Sequence, residues 1–426
     1  MPARSSSQRV ARLLAVAAAA ALLSTGCDSA LDRPTGPTAA SATATTTTIP
    51  SITAVTPDGL ISGPGVTDAA ITLGLLIDPA RDRGFSDGVR LWQQAVNTSG
   101  GLCGRTVEMR AAGVDGVPTD LDEAYDAVGR TSIGLITLPS PTGSAALNTA
   151  IAADQIPALT PAGTSAQLGP GRPIVVGPTD DVLAINGLDY LAQSGQLEQG
   201  ASVGVLTDAS AAADNALLGA RWWARERGIV LDVREAEPDA APADWGEATI
   251  VLALTDSAQT ARLALATPAG VTILTTIDGY DPAGWSTEAL AAATAGRVLV
   301  STAAPAFGSD YPAAVVVASR AAASGQTAPG ARMFDGYATG LSWARLLDQA
   351  CADRTLTRRG IEQAVTTVGP ASVDSLFGPT DPAQPVQSGL PATRVSAMST
   401  ADQSAPSGLR PLSWLQAASG IEDYLP

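Results

Sequence analysis

Short apolar runs alternate with amphipathic segments from residue 71 onward, and this rhythm predicts the fold class. Ile71 to Ile77 is an apolar run too short for a helix, and it is followed by a turn-rich stretch from Asp78 to Gly84. Val89, Trp92 and Val96 then recur at spacings of three and four, which predicts a helix over Ser86 to Asn97 that stops at Gly100-Gly101. The unit repeats. Strands are expected at Thr106–Ala111, Ile133–Thr137 and Ile156–Leu159, with helices at Leu121–Arg130 and Ser144–Ala153 between them. After Gly177-Pro178 a second series begins, with helices at Val182–Ser194, Ala213–Arg227 and Ala258–Ala266 and strands at Val203–Thr207, Ile229–Val233, Thr249–Leu254 and Thr272–Thr275. A strand at Arg297–Ser301, helices at Asp335–Cys351 and Arg358–Val365, and a strand-like segment at Thr393–Met398 complete the pattern. Continuous apolar strands between helices imply α/β architecture, with parallel sheets covered on both faces. Two such series predict two lobes with a cleft between them, where ligands sit beyond the carboxyl ends of strands.

The first 66 residues follow no such rhythm. Arg4, Arg9 and Arg12 precede an apolar run from Leu13 to Leu23, which is far shorter than the roughly 20 residues that span a bilayer. It reads as an export signal ending in Leu23-Ser24-Thr25-Gly26-Cys27, which is similar to a bacterial lipobox with Cys27 as the lipidated residue. Residues 27–66 are rich in Ala, Thr, Ser, Pro and Gly, so a flexible tether is expected.

Composition narrows the chemistry. The 426 residues contain no histidine, and all 25 basic residues are arginine. This excludes a Ser-His-Asp triad, a histidine-ligated metal, a Schiff-base lysine and a phosphate-loop lysine. A non-enzymatic binding role without cofactor or metal is therefore expected. The formal charge of -16 becomes -19 once the three leader arginines are removed, so nucleic acid is a poor partner.

Several motifs stand in a recognisable order. Gly63-Pro64-Gly65-Val66-Thr67-Asp68 precedes the first strand, and Gly88 lies within the first helix. Ser99-Gly100-Gly101-Leu102-Cys103-Gly104-Arg105 follows that helix, and Ile156-Pro157-Ala158-Leu159-Thr160-Pro161-Ala162-Gly163-Thr164 comes later. Phe334-Asp335-Gly336-Tyr337-Ala338 and Leu356-Thr357-Arg358-Arg359-Gly360-Ile361 complete the set. Together they resemble the type I periplasmic binding proteins, above all the branched-chain amino-acid receptors of ABC importers.

The resemblance implies two α/β lobes joined by a three-crossing hinge, divided as 67–178 (first lobe), 179–301 (second lobe), 302–372 (return to the first lobe) and 373–426 (partly second lobe). It implies a ligand carboxylate held by the loop Ser140, Thr142 and Ser144 and by the loop carrying Ala162 and Thr164. The same three hydroxyls could instead cap the helix that Ser144 opens. In the second lobe, Asp208 and Asp256 stand where the family commonly has aromatics, and Asp278 aligns with the acid expected to hold an ammonium. These aspartates favour a cationic or polyhydroxyl ligand, whereas Arg81 and Arg83 favour an anion, so the ligand class stays open at this point. Cys103 and Cys351 form an even pair in an exported chain once Cys27 is lipidated, and the resemblance puts both in the first lobe, where a disulfide is expected.

The functional expectation is a monomeric, lipid-anchored extracytoplasmic receptor that hands a small polar molecule, amino-acid-like or otherwise, to ABC permease subunits. The alternative is a sensor or interaction lipoprotein that keeps the fold without transport.

Overall fold

A computed structural model describes residues 53–77, 82–112, 121–138, 145–237, 244–294, 296–326, 328–372 and 375–426. The leader, Cys27 and the tether as far as residue 52 lie outside the described residues, as do Arg81, Ser140, Thr142 and Ser144. The chain opens with β1 (Ala54–Val55) and β2 (Ile61–Ser62). The first α/β series comprises β3 (Ala70–Leu76), α1 (Arg83–Thr98), β4 (Thr106–Ala111), α2 (Leu121–Val128), β5 (Gly134–Thr137), α3 (Ala145–Ala153), β6 (Ala158–Thr160) and β7 (Ile174–Val175). The second comprises α4 (Asp180–Gln193), β8 (Ser202–Thr207), α5 (Ala211–Arg227), β9 (Val230–Glu235), β10 (Ile250–Leu254), α6 (Ser257–Ala266), β11 (Thr272–Thr276), α7 (Thr287–Ala293) and β12 (Val298–Thr302). The return adds α8 (Pro312–Ala323), α9 (Met333–Ala352), β13 (Thr355–Leu356), α10 (Arg358–Thr367), α11 (Ala383–Gln387), β14 (Ala397–Ala401) and β15 (Leu409–Pro411).

These strands build two main sheets. The first is parallel throughout, in the order β4-β3-β5-β6-β7. The second has the order β15-β14-β12-β11-β10-β8-β9; β12, β11, β10, β8 and β9 are parallel, and β14 and β15 add an antiparallel edge. That edge comes from the chain's last crossing, which carries the return segment back to the second sheet. Both sheets are covered on both faces, as the apolar runs of inner strands such as β3, β5, β8 and β10 require. In the second sheet Val203 and Val205 point to one core with Trp223 of α5, while Leu206 points to the other with Trp245 and Trp285.

One expectation needs correction. The segment assigned to the end of the tether is folded: β1 pairs with β2, and β2 lies parallel to β13. Asp58, in the hairpin loop, is ion-paired to buried Arg105 at 3.1 Å and also accepts from the Thr56 hydroxyl. Composition alone hid this, because backbone pairing to a strand about 300 residues away needs few apolar side chains.

The first half is held by its helix pair. A Cβ on Gly88 of α1 would fall 1.9 Å from the Met333 carbonyl oxygen, and one on Gly336 of α9 would fall 2.1 Å from the Phe85 carbonyl oxygen. Only glycine allows two helix backbones this close, which gives both motif glycines a physical reason. Phe85, Val89 and Trp92 of α1 and Phe334, Tyr337 and Leu347 of α9 are buried together against β3 and β5. Cys103, just after α1, and Cys351, near the end of α9, are joined as a disulfide with Cα atoms 6.2 Å apart.

Candidate functional site

The loops that follow β3, β6, β8, β10 and β11 all open into one cleft of about 1480 Å³. This is the carboxyl-end location expected of parallel α/β sheets. Three longer helices begin at its wall. Arg83 and Gly84 at the start of α1, Ser210 and Ala211 at the start of α5, and Ser257 and Ala258 at the start of α6 all line it. Ser210 caps α5 by accepting the Ala213 N–H at 3.2 Å, and Asp256 caps α6 by accepting the Gln259 N–H at 2.8 Å.

Of the sequence-derived candidates, Arg83, Thr164, Asp208, Asp256 and Asp278 line the cleft together. Ala162 does not; it is buried beneath the same loop, where its carbonyl accepts the Thr160 hydroxyl at 2.9 Å. Thr164 sits higher, with its backbone N–H donating to the Gln167 side chain at 2.8 Å. Asp208 accepts the Ser210 N–H at 3.0 Å, so this aspartate and Asp256 are partly engaged by their own loops.

Asp278 has an unforeseen partner. It accepts a hydrogen bond from the guanidinium of Arg332, which immediately precedes α9 in the other half of the molecule. The Arg332 side chain is 15% exposed and that of Asp278 33%, so the pair forms part of the cleft floor. Burial works against charge on Arg332, but Asp278, Asp335 and Asp82 surround it and raise its pKa above the ordinary guanidinium value. Burial pushes the Asp335 carboxyl up to about 7, although Arg332 and the Ala304 N–H both favour its ionised form. Asp180 is raised as well, first by burial and then by Asp278 and Asp181.

A second buried network ties the halves together near the first crossing. The fully buried Asp181 carboxylate accepts from the hydroxyls of Ser165 and Thr179, from the Tyr424 hydroxyl at 2.8 Å and from the Asn215 amide at 3.4 Å. Ser165 belongs to the loop after β6, Asn215 to α5 and Tyr424 to the C-terminal segment, so one carboxylate orders three parts of the chain. A fully satisfied buried network of this kind fixes geometry more than it adds stability.

Sequence reading missed Arg172, Arg332 and Asp180, which also line the cleft. Arg332 directly precedes the Met333-Phe334-Asp335-Gly336 motif, and Asp180 follows Gly177-Pro178-Thr179, so their positions were visible but their convergence was not. Among the described residues no group of three or more acidic or sulfur ligands could hold a metal ion. Among the same residues no helix is long and apolar enough to cross a membrane.

Two open sheets joined by three crossings around one cleft define a hinged binding protein. A family model for periplasmic binding proteins matches residues 80–396, and the chain belongs to that family. A solved structure described as a fatty acid ABC transporter substrate-binding protein from Thermomonospora curvata is 26% identical, with a TM-score of 0.72, over 86% of this chain and 97% of that one. A branched-chain amino acid ABC transporter protein from Thermus thermophilus with bound valine is 14% identical, with a TM-score of 0.60, over 83% and 98%. A solute binding protein from R. palustris in complex with benzoate is also 14% identical with a TM-score of 0.60, over 82% and 98%. No curated protein sequence matches the chain.

Proposed function

We propose that this protein is the extracytoplasmic solute-binding component of an ABC importer, anchored to the membrane through lipid on Cys27 and acting as a monomer. The observation that carries this reading is the cleft, which gathers the carboxyl-end loops of both sheets between two halves joined by narrow crossings. Such an architecture suits closure about a hinge on a trapped ligand, which a permease can then distinguish from the empty form. The ligand is a small organic molecule. The open cleft of about 1480 Å³ has room for solutes of amino-acid size and larger, and one relative is described as a fatty acid ABC transporter substrate-binding protein. In this reading Arg83, Thr164, Asp208 and Asp256 face the solute, with Arg81, Ser140, Thr142 and Ser144 as proposed contributors from the neighbouring loops.

The test is a thermal-shift screen of amino acids, amides, sugars and organic acids. A ligand at about 100 times its Kd should stabilise the protein by roughly 2.7 kcal/mol. A flat response across all classes would favour a sensor or interaction role without ligand transport. Cys27→Ser should release the protein from membranes into the soluble fraction, and unchanged membrane retention would remove the lipid anchor from the account.

A further inference from the structure

Four carboxylates of the cleft are at least partly engaged by the chain itself. Asp208, Asp256 and Asp281 each accept a backbone N–H from their own loop, at 3.0, 2.8 and 3.1 Å. Asp278, 33% exposed, is bridged by Arg332 from across the cleft floor. A solute ammonium seeking Asp278 would have to displace that guanidinium, and the largely buried arginine would lose its hydrogen-bonded counter-charge and keep only Asp335 and Asp82 nearby, an unfavourable exchange. On the other side the same cleft presents the exposed side chains of Arg83 and Arg172. Among the described residues the ion pair of the cleft floor uses Arg332 and neither of these two. The lining of the cleft also includes the apolar Ala211, Ala212, Ala258, Pro282 and Leu290.

We propose that Arg332 is the specificity-determining residue of the cleft: by occupying Asp278 it bars solutes that carry an ammonium group and reserves the site for organic carboxylates with an apolar body. The carboxylate meets Arg83 and Arg172, whose planar guanidinium groups match its geometry, and the hydrocarbon part lies along the apolar residues of the lining. This inference rests on the solute-binding reading above and makes it specific. It separates the protein from receptors for α-amino acids by a residue that the matched motifs do not include.

Matched probes test it by isothermal calorimetry on the full chain. Octanoate and 2-aminooctanoate differ only in the amino group, as do 4-methylpentanoate and L-leucine. The native protein should bind the acid of at least one pair ten or more times more tightly than its amine-bearing partner. Arg332→Gln should reduce that ratio at least tenfold, because Asp278 loses its guanidinium partner. Adding Asp278→Asn to Arg332→Gln should cancel the gain for the amine. Arg83→Ala should weaken both members of each pair, since both carry the carboxylate, and leave their ratio unchanged, a separate reading should the Arg332 variant fail to melt cooperatively; tightness unchanged for both would overturn the carboxylate site. Equal or tighter binding of the amine-bearing probe to the native protein overturns the proposal, as does an unchanged ratio in folded Arg332→Gln. Failure of all four probes overturns it too. A library response confined to sugars or amides would do the same while leaving the solute-binding reading intact, and a wholly flat response would remove both.

Discussion

The two halves of the molecule solve the same packing problem by different means. In the first half, α1 and α9 are separated by more than 200 residues of chain, yet they pack with glycines at their closest approach and a disulfide beside their ends. In the second half, a seven-stranded sheet is fastened by β14 and β15 and by hydrogen bonds to buried Asp181, without a covalent tie among the described residues. The difference teaches where each half stores its order. The first half depends on a few positions that tolerate no change of shape, whereas the second spreads its stability along a continuous ladder of backbone hydrogen bonds.

The largest effect should come from the disulfide. The bond closes a loop of 248 residues, and in the chain-entropy model its removal costs about 5 kcal/mol. Cys103→Ala with Cys351→Ala should therefore lower the melting temperature sharply, and amide exchange should rise in α1 and α9 more than in β8, β10 and β11. Equal loss of protection in both sheets would break the comparison. Next, Gly88→Ala sets a methyl group against the Met333 carbonyl and should cost about 3 kcal/mol, the upper part of the range for overpacking. Denaturant titration would measure it, and a cost below about 1 kcal/mol would mean that the helices can part without penalty.

A smaller effect concerns pH. Asp335 has its folded pKa raised to about 7, above its unfolded value. The folded state therefore holds this proton more tightly, and the stability gained from it is fully present below the unfolded pKa and lost as pH rises through about 7. Asp335→Asn should flatten the dependence of Tm on pH between about 4 and 7; an unchanged slope would show that the carboxyl is ionised in the folded protein. The smallest effect is expected at Trp343, whose buried indole N–H has no hydrogen-bond partner among the described residues. Trp343→Phe relieves an unsatisfied donor, worth about 1–3 kcal/mol, while it loses packing volume. The two should nearly cancel, so the measured change in unfolding free energy should stay within about 1.5 kcal/mol.

Much of the fold was legible in the chain because parallel strands buried on both faces leave unmistakable apolar runs. The predicted strand at Thr106–Ala111 coincides with β4, and the predicted helix at Arg358–Val365 extends two residues to become α10. Helix α8 was not foreseen. Its Pro-Ala-Ala-Val-Val-Val-Ala sequence has no polar face to set a period, and Val315 and Val316 are exposed where a pattern would place polar residues. Strands β1, β2 and β13 were missed because two-residue strands carry no alternation to read. The site was half legible. Asp208, Asp256 and Asp278 could be placed at strand ends, where they line the cleft, but the Arg332–Asp278 contact joins residues 54 positions apart from opposite halves, and no local pattern reports such a meeting.

Native mass spectrometry of the protein extracted in mild detergent from its own cells tests the central claim most directly, when compared with a variant carrying Ala212→Trp and Ala258→Trp on the cleft wall. Neither alanine is buried, so both indoles can be accommodated by filling the cleft without disturbing the core. The account predicts one bound small organic molecule per native chain and none on the filled variant. Identical adducts on both proteins, or no adduct on either together with a flat thermal-shift screen, would contradict it.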